Sequence, residues 1–207
     1  RCSLLLQSPA DMAFAALEDG DVQLLQAALQ QSPGLVHVRR GGNTLLHLAV
    51  ENSLYIGTDC VRTLLRAGAS TEAANAAGFT ALHLAAAISV RRQCVPVLLA
   101  AGANVEAVCP AGNTPLLVAV TALSNGRSFR VLLEAGANPN AADNEGHTAL
   151  YWCAMKGDVE CLQLLLQAGA SLASTNVNTS TALHSAALAG QLESIHLLAT
   201  AQPSMLR

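Results

Sequence analysis

The sequence predicts a mainly α fold, an α-solenoid of about six stacked helix-turn-helix units with short hairpin-like fingers. Three observations predict it. Of 207 residues 52% are hydrophobic, yet only 3% are aromatic and 12% charged, so the apolar content is Ala, Leu and Val, which suit closely packed helices. A Thr-led motif recurs as GNTLLHLA from Gly42, GFTALHLA from Gly78, GNTPLLVA from Gly112, GHTALYWCA from Gly146 and STALHSAA from Ser180, with threonines at 44, 80, 114, 148 and 181. A second anchor, LLRAGA, LLAAGA, LLEAGA and LLQAGA, sets glycines at 68, 102, 136 and 169 on the same beat of 33 to 36 residues. Two independent anchors sharing one period define a structural repeat.

Each part of the unit follows from its residues. The five threonines precede short Leu/Ala-rich stretches, where a hydroxyl can accept an otherwise unpaired N–H and cap a first helix. Pro115 then occupies a first helical position, where its missing donor is harmless. In the second helix Leu162, Leu165 and Leu166 share a face, and Gly169 ends it. Pro96 falls in the first turn of its second helix, where it is tolerated. ANPNAADNEG, between Gly136 and Gly146, reads as a turn-rich finger. In the last unit Thr179 replaces the usual finger glycine, which puts a positive φ there in doubt.

These residues resemble the ankyrin repeat, whose T-P-L-H-x-A signature recurs about every 33 residues. The resemblance covers nearly the whole chain as one domain, residues 1–207, with units at 42–77, 78–111, 112–145 and 146–178 between divergent ones at 11–41 and 179–207. It implies that His47, His83 and His184 of the T-x-L-H motif make structural hydrogen bonds between neighbouring units. It also implies a concave groove lined by finger tips and first helices. Mapped residue by residue, that groove takes Arg40, Asn43 and Glu51, then Ala76, Phe79 and Ile88, then Asn113, and finally Glu145, His147, Trp152, Met155 and Lys156. Phe79, Ile88, Met155 and Trp152 are the expected anchors, inside a polar rim; for Trp152, simple packing against an adjacent helix is an equal alternative.

Insertions lengthen the inter-helix turns of three consecutive units, at SLYIGT from Ser53, SVRRQ from Ser89 and LSNGR from Leu123. Neutral drift in surface loops is the first explanation; a second binding edge carrying Arg91, Arg92 and Arg127 is the other. Asn140 resembles the finger asparagine that is hydroxylated in some family members, against the plainer reading that it stabilises its own turn.

Other chemistry is disfavoured. Eleven cations against fourteen anions give net −3, without the clustered Lys and Arg that phosphate neutralisation needs, so no nucleic-acid contact is expected. No apolar run approaches the roughly 18 residues of a spanning helix. Cys60, Cys94 and Cys161 share one slot in three units and read as small buried residues, with Cys153 in place of a core Ala and Cys109 exposed near a finger tip. Free thiols point to an intracellular setting, cytoplasmic and/or nuclear. A Cys109/His147 pair lacks an orienting third group, no zinc-type ligand spacing occurs, and neither catalysis nor a cofactor is expected.

The functional expectation is therefore a protein-interaction scaffold or adaptor that binds a protein or peptide in its groove. One version is the substrate-recognition module of a ubiquitin ligase. The alternatives are inhibitor-of-NF-κB-like masking of a transcription factor and a structural array of a channel or cytoskeletal linker. The start at Arg1 and the apolar Ile195, Leu197, Leu198, Met205 and Leu206 suggest further repeats or domains in the same chain.

Overall fold

A computed structural model describes residues 8–56, 58–87, 93–121 and 127–201. These divide into two compact units, residues 8–85 with 93–104, and residues 86–87 with 105–201.

In the first unit, α1 (Pro9–Asp19) opens on a capping box. The Asp11 N–H donates to Ser8 Oγ at 3.2 Å while Asp11 Oδ2 accepts the Ser8 N–H at 3.2 Å, and Pro9 occupies the first turn. Asp21 caps α2 (Val22–Gln31) by accepting the Leu24 N–H at 2.9 Å. A 3-10 turn (Pro33–His37) then leads into a two-residue hairpin of β1 (Arg39–Arg40) and β2 (Asn43–Thr44), paired Arg39 to Thr44 and Arg40 to Asn43. Its turn residues Gly41 and Gly42 sit at φ 58° and 83°, the double left-handed geometry that a tight hairpin selects. Beyond it lie α3 (Leu45–Ile56), α4 (Asp59–Arg66), α5 (Ala81–Ala87) and α6 (Cys94–Ala100). Pro96 is the third residue of α6, so it costs the helix no interior hydrogen bond. Helix α1 packs on α2 and α3, α3 on α4, and α4 on both α2 and α6.

The second unit repeats the arrangement with α7 (Pro115–Thr121), α8 (Arg127–Glu134), α9 (Ala149–Lys156), α10 (Val159–Gln167), α11 (Ala182–Leu188) and α12 (Leu192–Ala201). Partners α7 and α8, α9 and α10, and α11 and α12 pack as pairs, while α9 also packs on α7 and α11, and α10 on α12. The threonine caps form as the motif predicts: Thr148 accepts the Tyr151 N–H at 3.3 Å and Thr181 the His184 N–H at 3.5 Å.

Both cores are aliphatic. Leu17, Leu25, Leu45, Leu46, Leu64, Leu82 and Leu98 are fully buried in the first unit, and Leu116, Leu117, Phe129, Leu132 and Leu150 in the second. Each such leucine contributes about 1.5–3 kcal/mol, which no single helix pair could collect alone. Cys60, Cys94, Cys153 and Cys161 are buried free thiols, as their slots predict.

Two expectations need correction. Thr179 does adopt the left-handed conformation, at φ 61°, because its N–H must reach back to the Asn176 carbonyl at 2.9 Å to close the finger, as Gly78, Gly112 and Gly146 do in theirs. Cys109 is buried, with 4% of its surface exposed. It takes the place held by Asn75, Asp143 and Asn176, whose side chains accept N–H groups within the finger turn.

Candidate functional site

The fingers are built alike. Asn75, Cys109, Asp143 and Asn176 each donate a backbone N–H to the carbonyl four residues on, at Phe79, Asn113, His147 and Ser180, over 2.8–3.1 Å. Three of them add a side-chain acceptor: Asp143 Oδ1 takes the Glu145 N–H at 3.0 Å and the His147 N–H at 2.9 Å, and Asn75 and Asn176 do the same in their fingers. This presents rigid tips beside the first helices.

The motif histidines serve the fold. His47 Nδ1 accepts the Thr44 N–H at 3.3 Å, which leaves Nε2 to donate to the Phe79 carbonyl at 2.9 Å, one finger further on. Burial lowers the His47 pKa below the ordinary imidazole value. The Phe79 carbonyl acts in the opposite direction, Arg39 adds to the lowering, and Glu51 offsets part of it. His83 and His184 bond Thr80 and Thr181 in the same way.

The expected groove residues of the first unit are largely spoken for. Arg40 pairs with Glu18 at 3.3 Å and lies 4.6 Å over the Phe14 ring. Asn43 donates to Glu51 at 3.4 Å. Phe79, half-buried, packs its ring 5.6 Å from His83, and Ala76 is exposed beneath the hairpin, where a Cβ on Gly42 would collide with it. Ile88, Arg91 and Arg92 lie outside the described residues, and Arg127 begins α8 with its side chain also outside them.

In the second unit His147, Tyr151 and Trp152 form one cluster. His147 lies 4.5 Å from the Tyr151 ring and 5.0 Å from Trp152, while Tyr151 meets Trp152 edge-on at 5.8 Å. His147 Nδ1 faces Asp143 Oδ2 at 3.2 Å and Glu145 Oε2 at 3.6 Å. Trp152 is half-buried, and its indole N–H has no acceptor among the described residues. Asn113 is half-buried at the start of its unit. Lys156 reaches back to the C-terminal end of α7, donating to the Val120 and Thr121 carbonyls at 2.5 and 2.7 Å, so its ammonium caps a helix. The Asn140 side chain likewise bonds the following repeat, Nδ2 donating to the Gly169 carbonyl at 3.3 Å and Oδ1 accepting the Ser171 N–H at 2.7 Å, while its backbone N–H stays in its own turn on Asn138 Oδ1 at 3.0 Å.

Beside this cluster, Tyr151 and Met155 of α9 face Ser185, Leu188 and Ala189 across a cleft of about 280 Å³. Leu188 is 84% exposed, and Val108 and Val177, on finger segments, are 63% and 69% exposed. Sequence reasoning named Met155 but passed over Leu188, Val108 and Val177. Their signal was present, since each is apolar at a finger or first-helix position outside the repeat signature. Among the described residues no three His, Cys, Asp or Glu side chains gather as a metal site, and no helix is long and apolar enough to cross a membrane.

The family described as ankyrin repeats (3 copies) matches residues 54–143 and 121–205, most of the chain. The chain belongs to the ankyrin repeat family. Its fold class is the mainly α repeat array of that family, and ankyrin repeats are protein-interaction modules. A similar solved structure is the crystal structure of the ankyrin repeat domain of Bcl-3, a unique member of the IkappaB protein family. It is 31% identical, with TM-score 0.81, and the match covers 92% of this chain and 85% of that one. Among curated proteins none matches this ankyrin repeat chain by sequence.

Proposed function

We propose that this chain is an adaptor whose finger and first-helix face in the 105–201 unit receives an apolar side chain of a protein or peptide partner. The carrying observation is the cleft between α9 and α11, where Leu188 stays 84% exposed beside Tyr151 and Met155. Large apolar side chains grouped around a concave site mark interaction surfaces more often than they mark neutral surface. Phe79 and its finger serve the same role in the other unit.

The test is quantitative co-purification with the full chain, comparing wild type with Met155→Asp combined with Leu188→Asp. Partners of this face drop out with the variant while its circular dichroism spectrum stays unchanged. Equal recovery of every bound protein rejects the reading.

The 31% identity to the Bcl-3 ankyrin domain favours, as a second reading, masking of a transcription factor in the manner of the IkappaB family. A mobility-shift assay decides, because the chain should then alter a transcription factor's DNA occupancy. The ubiquitin-ligase version draws support from no particular described residue. An intracellular setting, cytoplasmic or nuclear, belongs to the same proposal and is supported by the buried free thiols Cys60, Cys94, Cys153 and Cys161; imaging of the tagged full chain tests it.

A further inference from the structure

The polar side chains beside the fingers are mostly consumed by their own neighbours, but the second-helix face of the 8–104 unit differs. Between α2 and α4 lies a cleft of about 440 Å³ lined by Gln26, Leu29, Gln30, Thr63, Arg66 and Ala67. Leu29 and Thr63 are buried and form its floor, while Gln26, Gln30 and Arg66 are exposed at its rim. Among the described residues neither glutamine amide nor the Arg66 guanidinium makes a side-chain hydrogen bond or ion pair. Arg62, one turn earlier on α4, is exposed and has no ion pair among them either.

The charge on this face has a direction. Asp21 and Asp59 stand at the N-terminal ends of α2 and α4, close enough to Cys60 to act on its thiol, whereas Arg66 stands in the last turn of α4. The helix end beside Arg66 is already closed by backbone donors, Gly68 N–H to the Leu65 carbonyl at 3.1 Å and Ala69 N–H to the Leu64 carbonyl at 3.0 Å. The guanidinium is therefore left with its planar fork of donors facing solvent, the geometry that recognises a carboxylate. The two glutamines, one turn apart on α2, can donate to and accept from an extended backbone.

We infer that this cleft binds an acidic peptide segment, with a carboxylate on Arg66, its backbone along Gln26 and Gln30, and an apolar side chain over Leu29. The site lies on a different set of helices from the finger face and is independent of the adaptor reading above. Arg62 strengthens the field that draws the segment in, so affinity falls as salt rises.

Fluorescence anisotropy with labelled peptides tests this on the full chain. The probes are a glutamate-rich peptide with one central leucine, its lysine-for-glutamate counterpart, and a glutamate peptide with serine in place of the leucine. The acidic leucine peptide binds best, and Arg66→Glu weakens it by about tenfold or more, the scale of one lost charge-assisted hydrogen bond. Arg66→Lys retains part of the affinity, and Gln30→Ala weakens binding with no change of charge. Amide signals of Gln26 and Gln30 shift in NMR spectra when the acidic peptide is added. Equal binding of acidic and basic peptides, indifference to Arg66→Glu in a folded variant, or shifts confined to residues elsewhere would each overturn the inference.

Discussion

His47 Nε2 lies 2.9 Å from the Phe79 carbonyl oxygen, so a first-helix side chain of one repeat holds the finger of the next. Removing the imidazole takes away one of two donors to that carbonyl, which keeps the Asn75 N–H at 2.8 Å, and leaves the buried Thr44 N–H without its acceptor. His47→Ala is expected to lower stability by about 1–3 kcal/mol, read from urea denaturation followed by circular dichroism. An unchanged midpoint would show that the Asn75 donor alone suffices to hold the finger.

The same histidine carries a pH dependence. Its folded pKa is lowered, chiefly by burial, so the unfolded chain takes up the proton first. The stability it contributes is fully present above the unfolded value, about 6.5, and is lost as pH falls through the lower folded value. His47→Gln should flatten the decline in urea midpoint between pH 7 and pH 5 relative to wild type. Parallel curves for the two proteins would assign the decline to other groups.

Thr179 is the one non-glycine residue described with a positive φ, at 61°. A β-branched side chain there costs roughly 1–2 kcal/mol, partly offset by the extra chain entropy that glycine brings to the unfolded state. Thr179→Gly should therefore stabilise by about 0.5–1 kcal/mol, seen as a higher melting temperature. The converse change, Gly146→Ala, destabilises, since a Cβ at that left-handed position would crowd the Asn176 backbone at 3.0 Å.

Lys156 and Asn140 are predicted to act on stability. Lys156→Met removes a cation from the carbonyl end of α7 and should cost about 0.5–1 kcal/mol. Asn140→Ala severs bonds to Gly169 and Ser171, with a loss of about 1 kcal/mol. Thermal denaturation measures both, and in the co-purification experiment partner recovery with Lys156→Met should match wild type.

Asn140 also shows how much was legible. It lies 34 residues after Glu106, which itself lies 34 after Glu72, and all three side chains accept a backbone N–H of the next layer: Asn104 onto Glu72 at 3.0 Å, Asn138 onto Glu106 at 2.8 Å, Ser171 onto Asn140. The spacing could have revealed the series, but a mixture of Glu and Asn hides it from motif reading. Helix starts and the Leu/Ala interior were readable because caps and apolar periodicity act within a few residues. Cys109 was misplaced because a finger of turn-forming residues looks uniformly exposed until its carbonyls are traced.

By itself the sequence determined the repeat, the helix pairs, the threonine caps and the buried slots, since each depends on local geometry and one period. Only the tertiary structure decided which polar side chains remain available to a partner. Lys156, Arg40 and Asn140 are claimed by groups in an adjoining layer, whereas Arg66 is not, and that difference rests on ångström-scale approach between layers, which a period measured in residues does not specify.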